Sequence, residues 1–239
     1  MQLAYHIGAM KVISLGGSIV VPNEVDADYL RDLRSVLVSV VENDDRLIVV
    51  VGGGAPARRY QTAYRTIRAA LDLPVESDSQ DWIGVMATRI NAELVRHVLA
   101  PYVTDPVVTD PTAAFAFTGR ILVAAGWKPG FSTDFDAVML AERFGADTVI
   151  NLSNVAQVYT ADPRTVPDAT PLEHVSWDNF RALVGESWKP GSNLPFDPVA
   201  TRKAAGLGLR VIAADGKNLE NLTAILTDQE FFGTEIGPE

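Results

Sequence analysis

Three glycine-bearing stretches hold the residue types that could do chemistry in this chain. In VVVGGGAPARRY (49–60) an apolar run ends in Gly52, Gly53 and Gly54 and leads, after a short bridge, to Arg58 and Arg59. Successive glycines present main-chain N–H groups at the start of a helix, and Pro56 suits a first turn that needs no N–H of its own. A guanidinium one turn further on can grip a phosphate through two hydrogen bonds, a role that fits Arg58 and leaves Arg59 on a solvated face. In SLGGSIV (14–20) Gly17 lets an anion approach the main chain and Ser18 offers a hydroxyl and an amide, although a tight strand-to-helix turn would use the same residues. WKPGFSTD (127–134) precedes a helix, with Ser132 or Thr133 as its cap and Asp134 as a favourable first-turn acid. Lys128 and Gly130 could face a second anion there. Capping alone would account for Thr133 and Asp134, and Lys128 could equally be solvated surface.

Gly52-x-Gly54-x-x-Ala57 also satisfies the dinucleotide fingerprint. That alternative requires an acidic ribose partner such as Glu76 at the end of a following strand. The arginines, the proline and the second glycine loop favour a phosphate-bearing substrate instead, and no P-loop signature G-x-x-x-x-G-K-[ST] occurs in the sequence.

These loops need a scaffold, and composition sets its limits. The chain has 239 residues, 47% hydrophobic and 21% charged, the balance of a folded globule. Twenty Lys and Arg against 30 Asp and Glu give a formal charge of -10, which opposes non-specific binding to nucleic acid or anionic membrane, so an anion site must be made locally. The absence of cysteine excludes disulfides, thiolate metal sites and cysteine nucleophiles. MQLAYHIGAM lacks the basic and apolar regions of a secretory leader, no run is long enough to span a membrane, and the cytoplasm is the expected location.

Periodicity predicts an α/β fold. KVISL (11–15) and RLIVVV (46–51) read as buried parallel strands joined by a crossover helix over 25–43, with Val25, Tyr29, Leu33, Val36, Leu37 and Val40 at helical spacing. Helices are expected over 56–71 and 82–99, the second burying Ile83, Met86, Ile90, Leu94 and Val98 on one face. Strands near 106–109 and 120–125, a helix near 134–145 and a strand over 147–153 follow. Helices near 176–185 and 198–206 and a strand over 209–214 complete the pattern, with loops over 126–132, 161–171 and 188–198.

Taken together, SLGGS, VVVGGGAPARRY, DWIGVMATRINAELV, KPGFSTD, NVAQVYTADPR and FDPVATRKA, in this order from about residue 11 to GTEI at 233–236, resemble the archaeal-type uridylate (UMP) kinases of the amino acid kinase superfamily. The resemblance implies an αβα sandwich around a mainly parallel eight-stranded sheet. It implies one domain over 1–239, with UMP held by about 10–146 and ATP by about 147–239, Mg2+ as the accompanying ion, and a homohexamer. Gly17 and Ser18 then match the loop at the ATP phosphates, Gly53 a UMP contact, and Gly54 and Arg58 groups at the transfer centre that also touch ATP. Asp81 matches the acid that binds the nucleoside, a position equally suited to capping the following helix. Trp127, Lys128, Pro129, Gly130, Phe131, Ser132 and Thr133 match the acceptor loop, with Lys128 as a further cation for transfer. Ser153, Asn154, Tyr159 and Asp162 match the ATP side. An anionic acceptor phosphate needs no base, so His6, His97 and His174 are expected to be structural or exposed.

Several positions depart from that pattern. Ser14 stands where many superfamily kinases have lysine, Ala156 and Gln157 replace an aspartate and a glycine, and Arg202, followed by Lys203, replaces a lysine. Phe135 and Asp136 bring bulk and charge to the acceptor helix. Asp136 is expected either to point into the site and repel an anionic acceptor or to face solvent. These departures leave open a second class of protein, a kinase-fold nucleotide-binding or storage protein with an altered acceptor or no transfer.

Overall fold

A computed structural model describes residues 10–43, 45–161, 165–185 and 195–238. The apolar, β-branched runs form β1 (Met10–Leu15), β2 (Arg46–Val51), β3 (Ile121–Ala124), β4 (Thr148–Ser153) and β8 (Arg210–Asp215), which pair in parallel in the order β3-β2-β1-β4-β8. β9 (Thr234–Gly237) runs antiparallel to β8, and β7 (His174–Ser176) pairs with it at the sheet edge. β5 (Val158–Tyr159) and β6 (Pro171–Leu172) form a separate antiparallel pair.

Among the described residues the main sheet therefore has seven strands where eight are expected. The stretch near 106–109 contributes one bridge, Val108 to Ala124. Pro106 and Pro111 confine its apolar part to Val107 and Val108, and a proline supplies no ladder N–H.

Helices cover both faces. α1 (Gly17–Val20), α2 (Ala27–Val41), α4 (Ser77–Val98) and α8 (Leu219–Leu226) share one core with Ile13, Leu15, Val49 and Val51. α5 (Thr133–Phe144), α6 (Trp177–Val184) and α7 (Pro198–Leu207) share the other with Val12, Ile48, Val50 and Val149. Alternate residues of the same strands thus feed opposite cores, as a sheet buried on both faces requires. α3 (Gly54–Ala70) lies against α4 and has Ala55 as its buried residue.

Local chemistry sets the helix ends. The side chains of Asp26, Ser132, Ser176, Asp197 and Asn218 accept N–H bonds at N-termini, and Gly145 and Gly208 close C-termini with positive φ. Val25 lies before the Asp26 cap and is exposed rather than part of the crossover helix. In α4 the expected face is only partly used. Val85, Ala87, Thr88, Asn91, Ala92 and Val95 are buried, whereas Met86 is 51% and Ile90 71% exposed. Among the described residues no helix is long and apolar enough to cross a membrane.

Adjacent strands β1 and β2 end side by side, and the loops that leave them touch through bare backbone. A Cβ on Gly17 would fall 2.1 Å from Gly54 N, one on Gly52 2.5 Å from Gly17 N, and one on Gly54 2.3 Å from Gly17 O. Gly54 also has φ +60°. Gly52→Ala must displace main chain rather than a flexible side chain, so a cost of about 2 kcal/mol is expected. Thermal unfolding followed by circular dichroism should show a melting temperature lower by roughly 4–8 °C.

Candidate active site

The two glycine loops form the floor of the candidate site, and α4 holds them from behind. Asn91, buried on α4, donates from Nδ2 to Gly52 O at 2.8 Å and Gly53 O at 3.1 Å. Arg58 then spans the loops from α3, donating to the Ser18 hydroxyl at 3.0 Å and to Pro22 O at 3.3 Å. Arg58, though exposed, thus reaches the first loop, whereas Arg59 is exposed on the helix surface. Pro56 occupies the first turn of α3, where N–H groups have no helical partner.

On one side of this floor lies the segment 126–132. Its start is pinned by Gly126 N–H to Thr88 Oγ1 at 2.8 Å, and its end by Ser132, whose hydroxyl accepts from Phe135 N–H at 3.2 Å. Ser132 rather than Thr133 is the cap of α5. Asp81 accepts from Gly130 N–H at 2.9 Å. It does not cap a helix, because α4 begins a turn earlier, at Ser77. Burial pushes the Asp81 carboxyl above its ordinary pKa. Gly130 has φ +86°, a conformation that requires glycine here. Trp127, Phe131 and Phe135 stack in series with ring centroids 5.0 and 4.7 Å apart, and the Lys128 ammonium lies over the Trp127 ring at 3.8 Å. Pro129 is half-buried between these residues.

On the other side, Ser153 ends β4, Asn154 is exposed beside it, and Tyr159 is half-buried on β5. Asp162 lies outside the described residues. Gln157 takes the place of a glycine with an ordinary backbone, since Asp72 and Asp228 are the non-glycine residues with positive φ among those described. Its buried side chain donates to Gly233 O at 3.0 Å, and Val158 N–H donates to Thr234 Oγ1 at 2.8 Å, which fastens this hairpin to β9.

Between the two sides sits a cluster of acids. Asp134 accepts from the Ser14 hydroxyl at 2.8 Å and from Asp197 N–H at 3.2 Å, joining β1, α5 and α7. Burial, aided by the Asp197 charge, pushes the Asp134 carboxyl up to about 6. Burial also raises Asp197, against the pull of its helix N–H groups and the Arg202 charge. Lys203 turns away to pair with Glu142 at 2.6 Å. Asp136 meets neither expectation set for it: it is 1% exposed and accepts Trp127 N–H at 3.1 Å. Burial, with Asp134, Asp110 and Asp197 nearby, pushes its carboxyl up to about 8.

Asn91, Thr88, Asp197 and Lys217 escaped the sequence reading. Lys217 donates to Ile19 O at 3.0 Å and pairs with Asp26 at 2.7 Å, bracing the first glycine loop from behind. A polar pair on an otherwise apolar helix face (Thr88, Asn91) and the Asp-Pro start of α7 were the available signals. The dinucleotide alternative fails, because α3 is followed by α4 and Glu76 caps a helix rather than ending a strand. His97 and His174 are exposed, and His6 lies outside the described residues.

Two glycine loops thus meet over one sheet edge of an α/β protein, bridged by a guanidinium and flanked by separate walls. A family model described as the amino acid kinase family matches residues 9–214. The uridylate kinase of Methanospirillum hungatei JF-1 is 37% identical over 228 residues, covering 94% of this chain and 93% of that protein. That of Methanocorpusculum labreanum is 35% identical over 231 residues, covering 95% and 94%. The crystal structure of uridylate kinase from Archaeoglobus fulgidus superimposes with a TM-score of 0.78 at 30% identity, covering 95% of this chain and 99% of that one. The chain belongs to the amino acid kinase family.

The raised carboxyls make stability pH-dependent. A carboxyl whose folded-state pKa exceeds its unfolded value of about 4 binds its proton more tightly when folded, so its contribution is complete below that value and is lost as pH rises through the folded one. For Asp134 the loss ends near pH 6, for Asp136 near pH 8. Asp136→Asn should therefore melt higher than the parent, by a margin that widens between pH 6 and pH 8. Differential scanning fluorimetry across that range measures it, and parallel curves would contradict the assignment.

Proposed function

We propose that the protein transfers the terminal phosphoryl group of ATP to UMP, giving UDP and ADP. The observation that carries this reading is the backbone contact between the two glycine loops, spanned by Arg58 and Ser18, which gives two phosphate groups one shared floor. Gly17, Ser18, Gly54, Arg58, Ser153, Asn154 and Tyr159 would hold ATP, with Asp162 beside them in the chain. Gly53, Asp81 and Trp127 to Thr133 would hold UMP. In this division, about 10–146 serves the acceptor and about 147–239 the donor.

The chemistry asks for little beyond placement. An oxygen of the UMP phosphate, already anionic, forms the new P–O bond as the bond to the ADP leaving oxygen breaks, and N–H groups and the Arg58 guanidinium offset the charge. The close packing of Gly17, Gly52 and Gly54 brings the two loops together backbone to backbone, so that phosphates held by their outward N–H groups would lie side by side. No group of three or more His, Cys, Asp or Glu able to hold a metal exists among the described residues. An Mg2+ ion would be carried chiefly by the nucleotide phosphates, where it would offset their charge. Ser14, neutral and bonded to Asp134, supports the competing reading of a nucleotide-binding protein without transfer.

Trp82, Met86 and Ile90 recur every four residues on α4 and are exposed, as are Ile67 and Leu71 of the neighbouring α3 and its C-cap. Such a surface supports a homo-oligomer, a hexamer on the family pattern; cytoplasmic work in pyrimidine nucleotide synthesis would follow from the proposed reaction, not from this surface.

A coupled assay with ATP, Mg2+ and UMP should show turnover, and tight ATP binding without it would favour the competing reading. Arg58→Ala should lower kcat/KM for UMP by roughly 10- to 100-fold, as expected for a charged hydrogen-bonding group, with the melting temperature unchanged. Ile90→Glu should shift the mass found by sedimentation toward the monomer, and an unaltered mass would remove this face from any subunit contact.

A further inference from the structure

We propose that Asp136 is a positioning residue which, together with Arg89, clamps the main chain of Trp127 and so sets the conformation of the 127–133 segment that receives the acceptor. The proposal rests on the assignment of that segment to UMP.

The clamp closes on one residue from two elements. Asp136 Oδ2, from the first turn of α5, takes the Trp127 N–H at 3.1 Å. Arg89, from α4, donates Nη2–H to Trp127 O at 3.0 Å. One residue earlier, Gly126 N–H is taken by Thr88. Both main-chain groups of Trp127 are therefore fixed from outside the segment.

Each clamp residue has one buried polar atom without a partner, Asp136 Oδ1 and Arg89 Nε. Leaving a buried polar atom unpaired is costly, and an apolar residue at 136 would avoid that cost in a helix face otherwise made of Ala137, Val138, Leu140 and Ala141. What Asp136 supplies in return is an acceptor for an N–H that an apolar side chain would leave unmet.

The functional consequence follows from where the fixed points lie. With 126 and 127 held at one end, Gly130 N–H taken by Asp81 in the middle and Ser132 capping α5 at the other end, the segment is fixed at three points. Loss of the Trp127 anchor frees the acceptor wall while leaving the glycine floor and the ATP side in place. The effect should therefore fall on the acceptor alone.

The test has two readouts on four proteins: the parent, Asp136→Ala, Asp136→Asn and Arg89→Met. Hydrogen exchange without nucleotide reads the clamp, and steady-state kinetics read its use. In Asp136→Ala, amide exchange over 126–131 should quicken by about tenfold, the worth of one hydrogen bond, and KM for UMP should rise by a similar factor with KM for ATP within about twofold. Asp136→Asn keeps a carbonyl acceptor and should return both readouts most of the way to the parent. Arg89→Met, at a partly exposed site, should reproduce the selective effect should Asp136→Ala fail to fold.

Unchanged exchange over 126–131 in both Asp136→Ala and Arg89→Met would overturn the clamp. So would exchange quickened throughout the protein, or KM values for UMP and ATP rising together. A parent that does not phosphorylate UMP would overturn the assignment of the acceptor, and the exchange data would still decide whether the clamp exists.

Discussion

The site depends on a contact with no side chain in it. Parallel strands lie about 4.8 Å apart, so loops leaving neighbouring strands in the same direction must compete for space. Here the competition is settled by Gly17, Gly52 and Gly54, whose main chains meet at distances that a methyl group would make impossible. The two glycine turns thereby share a boundary one backbone thick. Ser18 and Arg58 reach across it, and every other group in the site is arranged around that line.

Helix α4 supplies the frame. Asn91 holds the carbonyls of the second glycine loop, Thr88 the start of the 126–132 segment, Asp81 its middle and Arg89 its tryptophan. Turns of one helix thus index separate loops against each other, which loops cannot do for themselves without secondary structure of their own. The acids at the centre do the same for α5 and α7 through Asp134 and Asp197. Burial raises the Asp134 and Asp136 carboxyls toward neutrality, which lessens the negative charge of this cluster.

Much of the scaffold was legible because strands buried on both faces read as unbroken β-branched runs, and β1, β2, β4 and β8 match their expected extents closely. Glycine and proline placed the loops for the same local reasons. What resisted was set by tertiary context. The apolar spacing of α4 pointed at Met86 and Ile90, yet the sheet-facing side is filled by small and polar residues because Asn91 and Thr88 are needed there. Val107 and Val108 looked like a strand and yield a single bridge between prolines. β7 and β9 are too short to show periodicity, and their pairing becomes visible only in three dimensions. For the candidate site, Arg58 and the glycines announced themselves by type and spacing, whereas Asp136 and Gln157 were seen as departures without their partners, Trp127 N–H and Gly233 O. A departure judged against a family pattern carries a sign only once its hydrogen bonds are known.

The bracing of the first glycine loop by Lys217 has a mechanical consequence. The turn after β8 is stitched to Ile19 and Asp26 through that ammonium, and to α2 through the Tyr29 hydroxyl, which donates to Gly216 O at 2.8 Å. Segments far apart in the chain are thereby tied together beneath the sheet. Any shift of that turn against α2 would have to break these bonds first, so the turn and the helix move as one piece.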